Sequence, residues 1–331
     1  MKNFILKTTI FLLPILILIS LYIVIDPFSV IHKDASLAYN NKDYLCPINR
    51  DYQSTDLLLK TYSRNKYNSF ILGNSRSMFY QAKTWTNYID GTPFHFNASK
   101  ETIFGIYGKL RLLDELNIEI KNIVIVLDEN TFIGVVNSSG HLFIKHPRVS
   151  KESYLSFHYE MLKGFLSTSF FTYIDLYSTK RIKEYMKAYI TIPNNWSYDK
   201  NTNQLSYSNF DLTLQKDPQK YFTDKKSLFF ERSSIQLYSD QIIKEKQKEL
   251  LIRIKAILDA NNTKYRIVIS PLYNQIKLNK DDTQYLRKIF GQQNVFDFSG
   301  INSFTSDYHN YYEPSHYRPV VCDSIFSIIY K

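Results

Sequence analysis

The chain has only two cysteines, Cys46 and Cys322, in 331 residues. That scarcity excludes a disulfide-dense scaffold, and no CxxC or paired His/Cys spacing offers a metal site. The two thiols either pair, tying the segment near residue 46 to the last helix, or stay unpaired and buried. The sequence leaves both readings open. Internal repeats and low-complexity tracts are absent as well. So is any clustered basic motif: Lys+Arg number 41 against Asp+Glu 31, a net +10 spread along the chain. This argues against nucleic acid as a partner. It fits an anionic surface, an acidic polymer, or a generally basic composition.

Charge is also missing from residues 9–25, TIFLLPILILISLYIVI. An apolar run of this length spans a bilayer as a helix, and Pro14 is tolerated there. No small-x-small cleavage site follows it, since Asp26-Pro27-Phe28 comes next. The segment therefore reads as an uncleaved anchor, residues 1–27. Lys2 and Lys7 flank its amino end, while the charges of Asp26, His32, Lys33 and Asp34 roughly cancel. The positive-inside rule predicts a cytoplasmic amino terminus and a single-pass protein whose main domain is extracytoplasmic.

After the anchor, residues 28–67 read as a stalk and lead-in segment, with a helix over 55–62. Residues 68–331 read as one α/β domain. Strands are predicted at 69–72, 94–96, 123–127, 265–270 and 295–298, and IVIVL at 123–127 is apolar enough to be buried on both faces. Helical spacing marks 102–116, 235–260, 281–290 and 319–330. Strands alternating with helices predict a three-layer fold around a mainly parallel five-stranded sheet. Residues 135–230 break the pattern and form a large insertion, with helices at 153–171 and 179–190 and a hairpin within 193–209. It carries Trp196, a candidate for stacking on a sugar ring. Its histidines, His141, His146 and His158, read as packing or surface residues.

Two stretches carry chemistry. In SFILGNSRSMFY, residues 69–80, a buried strand breaks at Gly73 and leads into Asn74-Ser75-Arg76. That puts Ser75 at a strand's carboxyl end, where open α/β sheets bind ligands. In YYEPSHYRPVVCD, residues 311–323, Glu313 and His316 stand three apart on a turn-rich loop. A serine nucleophile needs a base, and the base needs an orienting acid. His316 and Glu313 supply them, with Asp307 as a spare acid.

Gly73-Asn74-Ser75 resembles the Gly-Asp-Ser block of the SGNH/GDSL hydrolases, and Glu313-x-x-His316 resembles their carboxyl-terminal Asp-x-x-His block. The likeness is to membrane-anchored, extracytoplasmic bacterial members associated with O-acylation of surface polysaccharides. It implies a flavodoxin-like SGNH fold and a Ser75–His316–Glu313 triad. It also implies an esterase or acyltransferase acting on ester-linked acyl groups, acetyl first, of an envelope polysaccharide. No cofactor or metal is expected. The partners implied are the acylated glycan and a membrane-bound O-acyltransferase. The family's second block aligns with Asn97-Ala98-Ser99, making the Ser99 N–H an oxyanion donor. The third aligns with Asp128-Glu129-Asn130-Thr131, making Asn130 another. Arg76 is a further substrate-binding candidate. The alternative is a catalytically degenerate glycan-binding or scaffold protein of a polysaccharide-modification complex.

Overall fold

A computed structural model describes residues 1–35, 45–167, 169–191 and 196–331. The apolar amino-terminal run forms a 24-residue helix, α1 (Lys2–Ile25). Its stretch Lys7–Ile25 is long and apolar enough to cross a membrane. Asp26 ends it in the left-handed conformation, with φ 42°. The buried Asp26 carboxylate then accepts the N–H groups of Val30 at 2.8 Å, His32 at 3.0 Å and Lys33 at 2.8 Å. These bonds satisfy the charge and fold the chain back on itself.

Five strands form the central sheet: β1 (Ser69–Gly73), β2 (Pro93–His95), β3 (Asn122–Leu127), β4 (Lys264–Ile269) and β5 (Val295–Asp297). All neighbours are parallel, in the order β2-β1-β3-β4-β5. The register pairs Phe70 with Ile123, Ile125 with Ile267, and Val268 with Phe296. Side chains alternate between two cores, as the period of a strand requires. Ile123, Ile125 and Leu127 enter one core, while Val124 and Val126 enter the other.

Helices cover both faces. On the first lie α2 (Arg50–Asn65), α3 (Ile103–Glu115), α6 (Glu245–Ala260) and α7 (Lys280–Phe290), contributing Leu58, Leu110, Ile254 and Leu286 to the core. On the second lies α8 (Pro319–Ile329), with Ile325 and Phe326 buried. Between α3 and α6 in the chain come α4 (Tyr154–Leu166) and α5 (Phe170–Thr179), both inside the insertion.

Several elements differ from the expectations. The lead-in segment contains α2, which is longer than 55–62 and buries Leu57 and Leu58 in the main core. It is thus part of the domain's packing. Residues 153–171 form two helices, because α4 stops at Leu166 and α5 starts at Phe170. Of 179–190, α5 takes only Thr179, and past it only the 3-10 turn Glu184–Ala188 is helical. The hairpin within 193–209 is present as Ser197–Asp199 paired antiparallel with Gln204–Ser206, and residues 193–195 lie outside the described residues. The helix expected over 235–260 begins only at Glu245. Before it, Leu237–Tyr238 pairs with Ile276–Lys277, and the Asp282 carboxylate accepts the N–H groups of Ile242 at 2.7 Å and Ile243 at 3.1 Å. Those tertiary bonds claim backbone donors that a helix would use. Cys46 and Cys322 are both free thiols.

Four charges are buried together against α2. Lys109 sits 2.5 Å from Glu101 and 3.1 Å from Asp51, and Lys145 sits 2.6 Å from Glu101. The His146 N–H adds a bond of 2.8 Å to Asp51. Burial pushes the Asp51 carboxyl up, but the two lysines outweigh it and hold it below its ordinary value. This network ties α2 and α3 to the start of the insertion.

Candidate active site

Ser75 stands where β1 ends. Gly73 has φ +146°, and a Cβ there would lie 2.6 Å from the Val126 carbonyl of β3. Only glycine permits that close approach and that conformation. The chain then enters a short 3-10 helix, Ser75–Phe79, which Asn74 caps by accepting the Arg76 N–H at 3.0 Å. The capping Asn74 also donates to Asp128, just past β3, at 2.6 Å. β1 has β2 on one side and β3 on the other, so Ser75 lies at the topological switch point of the sheet.

His316 arrives from the far end of the chain. Tyr311–Glu313 and His316–Tyr317 form a two-stranded hairpin that pairs Glu313 with His316. Tyr311, Tyr312 and Tyr317 are each 1 % exposed and anchor it in the second core. The Tyr311 hydroxyl donates to the Pro271 carbonyl at 2.9 Å, after β4. Tyr312 is held from the insertion side: its hydroxyl bonds Asp211, and its carbonyl accepts from Tyr221 at 3.2 Å. With the tyrosines buried, Glu313 and His316 are left at the carboxyl edge of the sheet.

His316 Nε2 lies 2.9 Å from Ser75 Oγ, and His316 Nδ1 is hydrogen-bonded to Glu313 Oε1. Burial pushes the Glu313 carboxyl up, but the His316 ring and the Ser315 N–H outweigh it and keep it below its ordinary value. An ionised Glu313 only accepts, so Nδ1 carries the proton and Nε2 accepts from the Ser75 hydroxyl. Phe79 packs on the imidazole with ring centroids 5.5 Å apart. Asp307, the spare acid, is 2.7 Å from His309 Nδ1 and serves that ring instead.

Ser75 and His316 open into a cleft of about 250 Å³. Its walls include Met78, Asn97, Ser99 and Arg50, and from the insertion Trp196 and Tyr207. Among the described residues, neither the Ser75 nor the Ser99 N–H has a hydrogen-bond acceptor. The Ala98 N–H is already committed to the Gly73 carbonyl at 3.2 Å. Burial and the Glu313 charge push the Tyr207 hydroxyl far up, so it remains a neutral donor.

Two expected site residues are placed differently. Asn130 is exposed on the short helix Glu129–Ile133 and lies outside the cleft lining. Asp128 takes the cap position of that helix, accepting the Thr131 N–H at 3.2 Å, and the turn carries Asn130 outward. Arg76 is internally committed: NH1 lies 2.5 Å from Asp128, and Nε donates to the Ser315 carbonyl at 3.0 Å. It clamps the His316 hairpin to the ends of β1 and β3 and is not among the residues lining the cleft.

The sequence reading missed the roles of Asn97 and Arg50. Asn97 is 3 % exposed, and its Oδ1 accepts from Arg50 Nε at 3.1 Å. That bond leaves the amide NH2 as the end able to serve a ligand. The missed signal was the position of Asn97, directly after the second strand at the edge that carries Ser75. No known family, curated protein or solved structure matches the chain.

Proposed function

We propose that the chain is a membrane-anchored, SGNH-like serine esterase or acyltransferase, acting on ester-linked acyl groups of an envelope polysaccharide. The observation that carries the reading is the unbroken Glu313–His316–Ser75 hydrogen-bond chain at the sheet's switch point. In the first half-reaction Ser75 Oγ attacks the ester carbonyl while His316 Nε2 takes its proton. The tetrahedral intermediate collapses, the C–O bond to the sugar breaks, and His316 returns the proton to the departing hydroxyl. Water or a second sugar hydroxyl then attacks the acyl-serine by the same route in reverse. Glu313 fixes the imidazole and stabilises the imidazolium.

The oxyanion has three donors within the cleft walls: the Ser75 and Ser99 N–H groups and the Asn97 amide. Asn97 takes the place expected of Asn130. At about 250 Å³ the cleft is smaller than the ~300–1,000 Å³ sites of drug-sized ligands. That size favours a short acyl group such as acetyl, with Trp196 and Tyr207 as aromatic walls for the sugar. The outward position of Asn130 favours a second reading, a glycan-binding scaffold that does not turn over.

Acetate release from a chromogenic ester and from an acetylated glycan separates the two. Ser75→Ala is expected to lower the rate by several orders of magnitude, with His316→Ala nearly as severe, because the pair acts as a unit. Equal rates for wild type and Ser75→Ala would remove the catalytic reading and leave the scaffold.

A further inference from the structure

The insertion's helix α4 carries an apolar stripe on its outer side as well as its inner one, and α5 adds an exposed phenylalanine beside it. Their inner faces bury Phe157, Met161, Phe165 and Tyr173 in a small core shared with Tyr22 and Ile25 at the carboxyl end of α1 and Phe28 just past it. The Tyr22 hydroxyl lies 2.9 Å from His158 Nδ1, and Phe28 meets Tyr173 edge-on at 5.4 Å. Their outer faces carry Leu155, Tyr159 and Leu166 on α4, exposed by 82 %, 64 % and 40 %, and Phe171 on α5, exposed by 73 %. At 3.6 residues per turn, the three α4 residues fall within about 40° of one another around the helix axis. Lys163 sits on the same side of α4 and is 66 % exposed. An exposed apolar stripe on a helix whose inner side is already buried calls for a second apolar neighbour.

α1 fixes what that neighbour is. The 19 residues Lys7–Ile25 rise by about 28 Å, close to the ~30 Å hydrocarbon thickness of a bilayer. Tyr22 to Ile25 then lie where hydrocarbon meets headgroups, the depth at which tyrosines collect. Helices packed directly on those residues share that depth, within about one helix diameter, ~10 Å, of the span. We infer that α4 and α5 lie in the membrane interface on the domain's side, with Leu155, Tyr159, Leu166 and Phe171 inserted at the headgroup boundary. α1 and these helices then form one rigid foot that holds the Ser75 cleft at a set height over the lipid. The inference rests on α1 crossing a bilayer, and not on the reaction assigned to Ser75.

Full-length protein in nanodiscs tests it, with single cysteines placed by Leu155→Cys, Phe171→Cys, Phe11→Cys and Ile252→Cys in a Cys46→Ala background. Each carries an environment-sensitive fluorophore, and buried Cys322 is retained. Lipids bearing a nitroxide near the head of the acyl chain are expected to quench the labels at 155 and 171 strongly, as they quench the label at 11 in the span. The label at 252, on α6, is expected to lose fluorescence only to aqueous iodide. Labels at 155 and 171 that answer iodide but not the nitroxide lipid would overturn the inference. Shielding from both quenchers would overturn it too, since another protein would then cover the face. If the label at 11 also escaped the lipid quencher, the span itself would fall, and the inference with it.

Discussion

Asn97 and Asn130 offer a direct contrast between two amides. Asn97 lines the cleft with its oxygen held by Arg50, which leaves its NH2 as the end able to serve a ligand, whereas Asn130 is exposed outside the cleft. Asn97→Ala is therefore expected to lower kcat by about 100- to 1000-fold, the usual cost of an oxyanion donor. Asn130→Ala should stay near wild type. Steady-state rates on a chromogenic ester check both, and the reverse ranking would restore Asn130 as the donor. Arg76 makes a second case. Its planar fork reaches Asp128 and the Ser315 carbonyl together, which the single ammonium of lysine does not reproduce. Arg76→Lys should cost about 10- to 100-fold in kcat with little change in KM, because it loosens the base without touching substrate. A change confined to KM would mean that the guanidinium binds substrate after all. Ser75, His316 and Glu313 were readable from their types and spacing. Arg76's commitment was not, because Asp128 and Ser315 are remote from it in the chain.

At the scale of elements, the strands announced themselves. Phe70-Ile71-Leu72 and the run 123–127 are continuous apolar stretches, as strands covered on both faces must be. Of α2 only 55–62 was legible, because the buried face of its first turns carries Arg50, Asp51, Gln53 and Ser54. Arg50, Ser54 and Asp51 find their partners far along the chain, at Asn97, Asn203 and Lys109, so no apolar periodicity marks the first turns of the helix. The network they join is expected to be costly to break. Lys109→Met leaves Asp51 and Glu101 with one cation between them and should destabilise the domain by about 3–5 kcal/mol in chemical denaturation. A loss below about 1 kcal/mol, the level of a surface pair, would show that the cluster is well solvated. Gly73→Ala should be similarly damaging to the β1 turn, since the new Cβ meets a backbone carbonyl.

The whole molecule carries a pH dependence written by its buried histidines. Burial pushes the His95 imidazole down to about 3 and the His146 imidazole down to about 4. Between those values and the ordinary 6.5, the unfolded chain binds protons that the folded protein refuses. Stability therefore falls as pH drops from about 6.5, by up to about 1.4 kcal/mol per pH unit for each histidine. His146→Asn keeps an acceptor for the Arg148 N–H and should flatten the slope between about pH 6.5 and 4 in detergent-solubilised full-length protein. An unchanged slope would mean that His146 titrates freely in the fold. Topology is also a property of the whole chain. With the proposed amino-in orientation, a reporter fused after Lys331 should be active only outside the cytoplasm.

The account depends on one property, a Ser75 hydroxyl made nucleophilic by His316. A fluorophosphonate probe reads that property without any knowledge of the natural acyl group or polymer. Full-length protein is expected to take up one probe per chain, located on Ser75 by mass spectrometry, with labelling abolished in Ser75→Ala and nearly so in His316→Ala. Wild-type protein that takes up no probe, or Ser75→Ala labelled as well as wild type, would contradict the account.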